Sequence, residues 1–295
     1  MHEPARCGTR GNRLKRVAVV GAGTMGHGIA QVAATAGYQT CITDTQTTAL
    51  DSAVERIGQN LEGGVERGKI SRESADRALG LIDTCPALEH AVQEAHVVIE
   101  AVVENIDVKR DLFRTLDSLT GPATVLATNT SSLSVGAIAS ATKHPARVVG
   151  MHFFNPVHIM KLVEIVVHDG TDQNTINVAS ILTRDMGKEP IRVRDTPGFA
   201  SSRLGVVLAL EAMRMVEQDV ATPHDIDKAM ELGYGHPMGP LKVTDLVGLD
   251  VRLAIAEYLH SELGAAHYQP PEILRQMVEA GELGKKTGKG FYDWQ

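Results

Sequence analysis

Two kinds of hydrophobic pattern divide this chain. Through residue 151, short apolar runs alternate with segments whose apolar positions recur every three or four residues. Strands are expected at about 15–20, 38–43, 97–99, 125–127 and 148–151, and helices at 25–36, 46–63, 71–79 and 108–119. In 46–63 the signal is Leu50, Val54, Ile57 and Leu61, and the charged, glycine-broken stretch 62–71 should end that helix. Strands that are apolar on both faces and alternate with helices predict a mostly parallel, doubly covered sheet. The pattern changes at Asp195-Thr196-Pro197-Gly198. Beyond it lie helical stretches at 199–216, 225–232, 241–263 and 271–280, with Thr222 as an N-cap and Pro223 at the first helical position. Almost no strand signal remains there. The expected architecture is an α/β dinucleotide-binding domain over 14–195 and an all-helical C-terminal domain over 198–295.

The first strand runs directly into Gly21-Ala22-Gly23-Thr24-Met25-Gly26, and Asp44 closes the second strand. This order fits the phosphate turn and ribose-binding acid of a Rossmann-type fold. Gly21 would permit the tight turn, Gly23 would let a pyrophosphate approach the backbone, and Gly26 would let the helix pack closely. The N–H groups at Thr24 and Met25 then face the phosphates. Asp44 favours NAD, because a carboxylate accepts from ribose hydroxyls and repels a 2′-phosphate.

Composition narrows the function classes. The 295 residues carry a net charge of −7, which offers no polyanion-binding surface and argues against nucleic acid. No apolar run reaches the length of a membrane span. Cys7, Cys41 and Cys85 are too scattered for a disulfide framework or a zinc site, and no metal is expected. Free thiols suit a reducing, cytoplasmic setting. Arg6, Arg10 and Arg13 lie in a polar leader without the apolar core of a secretory signal.

The candidate chemistry lies at strand ends. His152 opens His152-Phe153-Phe154-Asn155-Pro156, and Glu164 stands twelve positions later among Leu, Val and Ile. A carboxylate in such surroundings needs a partner. Paired with His152, it would fix the tautomer of an imidazole that exchanges a proton with an alcohol as hydride leaves its carbon. The residues leave a second reading open: a structural histidine beside a turn and a solvent-facing glutamate. Asn129-Thr130-Ser131-Ser132 could supply a hydroxyl to a substrate oxygen or could be an ordinary cap cluster. Glu100, Glu104 and Lys109 could reach a cofactor or form a charged helix opening. The tail Gly284-Lys285-Lys286-Thr287-Gly288-Lys289-Gly290 lacks the spacing of a nucleotide-binding P-loop and reads as a basic turn anchored by Phe291, Tyr292 and Trp294.

Taken in order, the segments 21–28, 129–134, 152–156 with 160–164, 195–199, 237–240 and 284–292 resemble the bacterial 3-hydroxybutyryl-CoA branch of the 3-hydroxyacyl-CoA dehydrogenases, from about Arg16 to Trp294. The resemblance implies His152 as acid/base, Glu164 as its orienting carboxylate and Ser131 as a contact to the substrate oxygen. It also implies cofactor contacts at Glu104, Lys109 and Asn129, and substrate contacts at Asn155 and at position 202. Arg56, Arg67 and Lys69 become the candidates for the coenzyme A portion, and a homodimer through the helical domain is expected. The implied reaction is NAD-dependent oxidation of (3S)-3-hydroxyacyl-CoA and its reverse. Two alternatives are a dehydrogenase of a free 3-hydroxy acid and a non-catalytic NAD-binding protein. One position departs from the family: Ser202 stands where it usually has asparagine, and lacks the amide's paired donor and acceptor. A bridging water, an altered substrate range and slower turnover are the consequences this leaves open.

Overall fold

The computed structural model describes residues 16–294. The leader arginines and Cys7 lie outside the described residues. By contacts the described chain divides into two units: residues 16–130 with 134–195, and residues 196–294 with 131–133.

The first unit is a doubly wound sheet. Its elements are β1 (Arg16–Val20), α1 (Thr24–Thr35), β2 (Gln39–Thr43), α2 (Thr47–Glu66), α3 (Arg72–Leu79), β3 (Ile82–Thr84), α4 (Leu88–Val92), β4 (Val97–Glu100), α5 (Ile106–Leu119), β5 (Val125–Thr128), α6 (Val135–Ala139), β6 (Val148–Phe153), β7 (Leu162–Val167), α7 (Gln173–Asp185) and β8 (Glu189–Arg194). Strand order is β3-β2-β1-β4-β5-β6-β7-β8. Neighbours pair in parallel except β6 with β7, which is antiparallel. The central strands β1, β4 and β5 are apolar because helices cover both faces, and Val17, Val19, Ile42, Val97 and Ile99 form one core with α1 and α2.

Helix α2 runs through Gly63 and Gly64 to Glu66, past the break expected from its glycines. A helical glycine costs only about 1 kcal/mol relative to alanine, which packing of Leu50, Ala53, Ile57 and Leu61 against the core outweighs. Two edge strands escaped the hydrophobic pattern. β3 is three residues long, and β8 is Glu-Pro-Ile-Arg-Val-Arg with four of its six residues exposed. Both lie at sheet edges, where one side needs no apolar partner.

The second unit is helical: α8 (Ser201–Glu217), α9 (Pro223–Tyr234), α10 (Pro240–Val247), α11 (Leu249–Leu263) and α12 (Glu272–Glu279). Thr222 caps α9 as its spacing predicts, accepting from the Asp225 N–H at 3.2 Å. The single helix expected at 241–263 is two helices. Gly248 adopts φ +105°, a conformation foreign to an α-helix, and the chain turns there.

The basic tail is tied to two buried acids. Asp245 accepts from the Phe291 and Tyr292 N–H groups at 2.9 Å and from Trp294 Nε1 at 2.8 Å. The Tyr292 hydroxyl donates to Asp227 at 2.8 Å. A Cβ at Gly290 would come within 2.3 Å of Asp245 Oδ1, so this glycine serves packing of the tail.

Candidate functional site

The dinucleotide turn has the geometry its sequence implies. Gly21 takes φ +103°, and a Cβ there would stand 2.6 Å from the Ala101 carbonyl oxygen. A Cβ on Gly26 would fall 1.8 Å from the Gly21 carbonyl, so this glycine packs first against the turn itself and only then against the strand, at Val19. Beside Gly23 there is open space. Gly23 is also the N-cap of α1, without a side-chain cap and with no acid in the first turn. The opening N–H groups are thus unblocked by any side chain, as a bound pyrophosphate needs. Asp44 joins this turn directly: Oδ2 accepts from the Ala22 N–H at 2.8 Å and Oδ1 from the Gln46 N–H at 2.9 Å. Each oxygen retains a further lone pair for a ribose hydroxyl. These residues fit NAD.

At the other side of the sheet, β6 and β7 place His152 opposite Glu164 in register. His152 Nδ1 and Glu164 Oε2 are 2.7 Å apart. Glu164 is fully buried and His152 nearly so. The Phe154 ring packs against the imidazole with centroids 4.5 Å apart. Asn155 follows at the surface, before a cis bond to Pro156.

The other predicted residues divide. Asn129 spends its amide oxygen on the Phe153 N–H, at 2.9 Å, and so braces the strand that carries His152. Glu104 accepts from the Thr130 hydroxyl at 2.6 Å. Lys109 is 1 % exposed, with its ammonium 2.5 Å from Glu100 and 3.4 Å from Glu104. A lysine held this way is a brace beneath the β4–α5 loop. Glu100, at 0 % exposure, also accepts from Thr128 and the Val102 N–H. In the second unit the Ser202 hydroxyl makes a long 3.4 Å hydrogen bond to the Ser131 carbonyl.

A cavity of about 930 Å³ opens in the first unit between α1, the end of α2, the 158–161 segment and the α7–β8 turn. Arg67 and Lys69 line it, and Arg56 does not: it sits on the exposed side of α2. His158, Lys161 and Lys188 join them, and no spacing along the chain marks these three. Lys188 donates to the Val157 and Met160 carbonyls at 2.5 and 2.7 Å, clamping the segment after the cis-proline turn. Burial pushes its ammonium below the ordinary lysine range. His158 is also pushed down, first by burial and then by the positive charge of His27, Arg67 and Lys188. Against one lining carboxylate, Asp185, the cavity sets the cations Arg67, Lys69, Lys161 and Lys188, and this excess of positive charge attracts an anion. Among the described residues no group of three or more His, Cys, Asp or Glu is placed to hold a metal ion, and no helix is long and apolar enough to cross a membrane.

Comparison with known proteins agrees with this geometry. Residues 16–196 match the model of the 3-hydroxyacyl-CoA dehydrogenase NAD-binding domain, and residues 198–294 match that of the C-terminal domain of the same family. The chain is 44 % identical to a probable 3-hydroxybutyryl-CoA dehydrogenase of Bacillus subtilis (strain 168), covering 96 % of this chain and 98 % of that one. It is 45 % identical to a 3-hydroxybutyryl-CoA dehydrogenase of Mycobacterium tuberculosis (strain CDC 1551 / Oshkosh), covering 95 % and 99 %. The crystal structure of (S)-3-hydroxybutyryl-CoA dehydrogenase PaaH1 from Ralstonia eutropha superimposes with a TM-score of 0.92 at 36 % identity, over 96 % of this chain and all of that one. The chain therefore belongs to the 3-hydroxyacyl-CoA dehydrogenase family, NAD-dependent oxidoreductases with a dinucleotide-binding α/β domain and a helical C-terminal domain.

Proposed function

We propose that this enzyme interconverts (3S)-3-hydroxybutyryl-CoA, or a related short-chain 3-hydroxyacyl-CoA, with its 3-oxo thioester. The observation that carries the reading is the buried His152–Glu164 pair. Bound NAD supplies a hydride acceptor, and NADH a donor. Glu164 holds Nδ1 of the imidazole, which leaves proton exchange to Nε2. In oxidation that nitrogen takes the 3-hydroxyl proton as hydride departs from C3; in reduction it returns a proton to the 3-oxo oxygen. The Ser131 hydroxyl donates to the same oxygen and stabilises its developing charge. The test is NADH oxidation with acetoacetyl-CoA. Turnover of free acetoacetate at an equal rate would favour the reading as a dehydrogenase of free 3-hydroxy acids. NAD binding without hydride transfer to any thioester would leave only a binding protein.

The coenzyme A portion is assigned to the cationic cavity, with Arg67 and Lys69 on its phosphates. Both are exposed, so each contributes modestly. Arg67→Gln and Lys69→Gln should each raise KM for acetoacetyl-CoA by about 2- to 5-fold, with kcat unchanged.

The second unit exposes Leu204, Leu232 and Tyr234 at 73, 76 and 79 %. Apolar residues so open suit contact with a second copy, and we assign the homodimer to this unit. Sedimentation should give a dimer for the native chain and a monomer for the Leu204→Asp, Leu232→Asp double variant. A cytoplasmic location suits the free thiols of Cys41 and Cys85.

A further inference from the structure

The chain that leaves β6 after His152 forms a turn with little packing of its own. Asn155, Pro156, Ile159 and Met160 are exposed, and of residues 155–160 only Val157 is buried, at 2 % exposure. The Ile159 and Met160 N–H groups close the turn on the Pro156 carbonyl, both at 3.0 Å. Those bonds fix its shape but not where it sits. A segment with so few buried contacts is mobile unless something outside it holds it.

Two features hold it, and both lie in the first unit. One is beneath Val157. A Cβ on Gly28 would fall 2.8 Å from Val157 Cβ, so α1 carries a glycine in its interior, at a cost to the helix, where this side chain is seated. The other is Lys188, the residue before β8. It is 7 % exposed, and its Nζ donates to the Val157 carbonyl at 2.5 Å and the Met160 carbonyl at 2.7 Å. Burial alone bears on this ammonium, and no carboxylate acts on it. Asp185, which lines the same cavity, instead accepts from the Tyr38 hydroxyl at 2.5 Å. Taking a cation out of water for two neutral acceptors is costly, and an apolar side chain of similar length would fill the space at lower cost. What the cation adds is a fixed turn.

That turn stands between the groups that must meet the substrate. On one side it rests on α1, the helix whose opening N–H groups fit the pyrophosphate of NAD. On the other it continues into Phe154, whose ring packs on the His152 imidazole. The β6–β7 ladder sets the imidazole against Glu164; the turn sets its other neighbour, Phe154. Hydride and proton leave adjoining atoms of one alcohol, so the spacing between cofactor and imidazole governs the rate.

We infer that Lys188 is a positioning residue for the reaction: by pinning the 156–160 turn against α1, it sets the His152 imidazole relative to the cofactor and serves turnover more than thioester binding. This rests on the dehydrogenase reading.

The test is steady-state reduction of acetoacetyl-CoA by the native enzyme, Lys188→Met, Lys188→Arg and Lys188→Ala, at a temperature where circular dichroism shows each folded. K188M should lose about 10- to 100-fold in kcat, the scale of a reacting group displaced by about an ångström, with KM within about 2-fold of native. Arg67→Gln, on the same cavity, should show the opposite split. K188R keeps donors for both carbonyls, and propylammonium added to K188A replaces the missing end of the side chain; each should recover part of the loss. If K188M fails to fold, K188A with and without propylammonium decides the question. Three results overturn the inference: native kcat in K188M; a raised KM with native kcat, which makes Lys188 a ligand of the coenzyme A phosphates; or a loss of kcat that neither arginine nor propylammonium reduces, which traces it to damaged packing. A native enzyme inactive on acetoacetyl-CoA overturns the dehydrogenase reading itself and this inference with it.

Discussion

Replacing His152 with asparagine should lower kcat for acetoacetyl-CoA reduction by about 10²- to 10⁴-fold, the usual worth of a positioned acid/base. Asparagine can still donate a hydrogen bond toward Glu164, so the buried carboxylate keeps a partner. NAD affinity and thermal stability should therefore hold near native values while chemistry fails. Glu164→Gln should give a smaller loss of the same kind, because the imidazole stays and only its tautomer and aim are released. Steady-state kinetics with circular dichroism checks both. A His152→Asn enzyme that retained native kcat would remove the imidazole from the reaction.

Lys109→Met should cost about 3–5 kcal/mol of stability, the usual penalty for leaving one half of a buried ion pair alone. Glu100 then has Thr128 and the Val102 N–H but no cation, at 0 % exposure. The Glu100→Gln, Lys109→Met double variant should recover most of the loss, since it removes both charges. Thermal melting of the NAD-free protein reads this directly. If Lys109 instead met the cofactor, K109M would melt normally and raise the Kd for NAD. The double variant would then rescue nothing.

Lys109 also marks how far the sequence could be read. Its place in the Glu100–Glu104–Lys109 series suits a cofactor contact and a charged helix opening equally, because spacing carries no information on depth. What turned it inward is the ion pair with Glu100, itself buried at the end of β4, and burial depth is a property of the folded chain. The glycine turn and Asp44 were legible for the opposite reason: strand, turn, helix and acid are all local, and the geometry at Gly21 and Gly26 is set by atoms nearby in the chain or on the adjoining strand. The pairing of His152 with Glu164 was legible from a single anomaly, a carboxylate in an otherwise apolar run. The cation cavity was not. Arg67, Lys161 and Lys188 come from three separate connections, and no periodicity joins them. Nor could periodicity expose the break at Gly248, where apolar residues continue on both sides and only the backbone turns.

The reversal of direction at β7 has a further consequence. Every other strand contact in this sheet is parallel, and parallel neighbours are joined by long excursions through a helix. The imidazole of His152, proposed as the acid/base, and the Glu164 carboxylate instead face each other across two adjoining, oppositely directed strands. Their alignment is thus held by the ladder of main-chain bonds and not by the shape of the connection that crosses from 154 to 161. Within that crossing Phe154 touches the imidazole, while Val157 and Met160 are held by Lys188, so the exposed Asn155 and Pro156 are its least constrained positions.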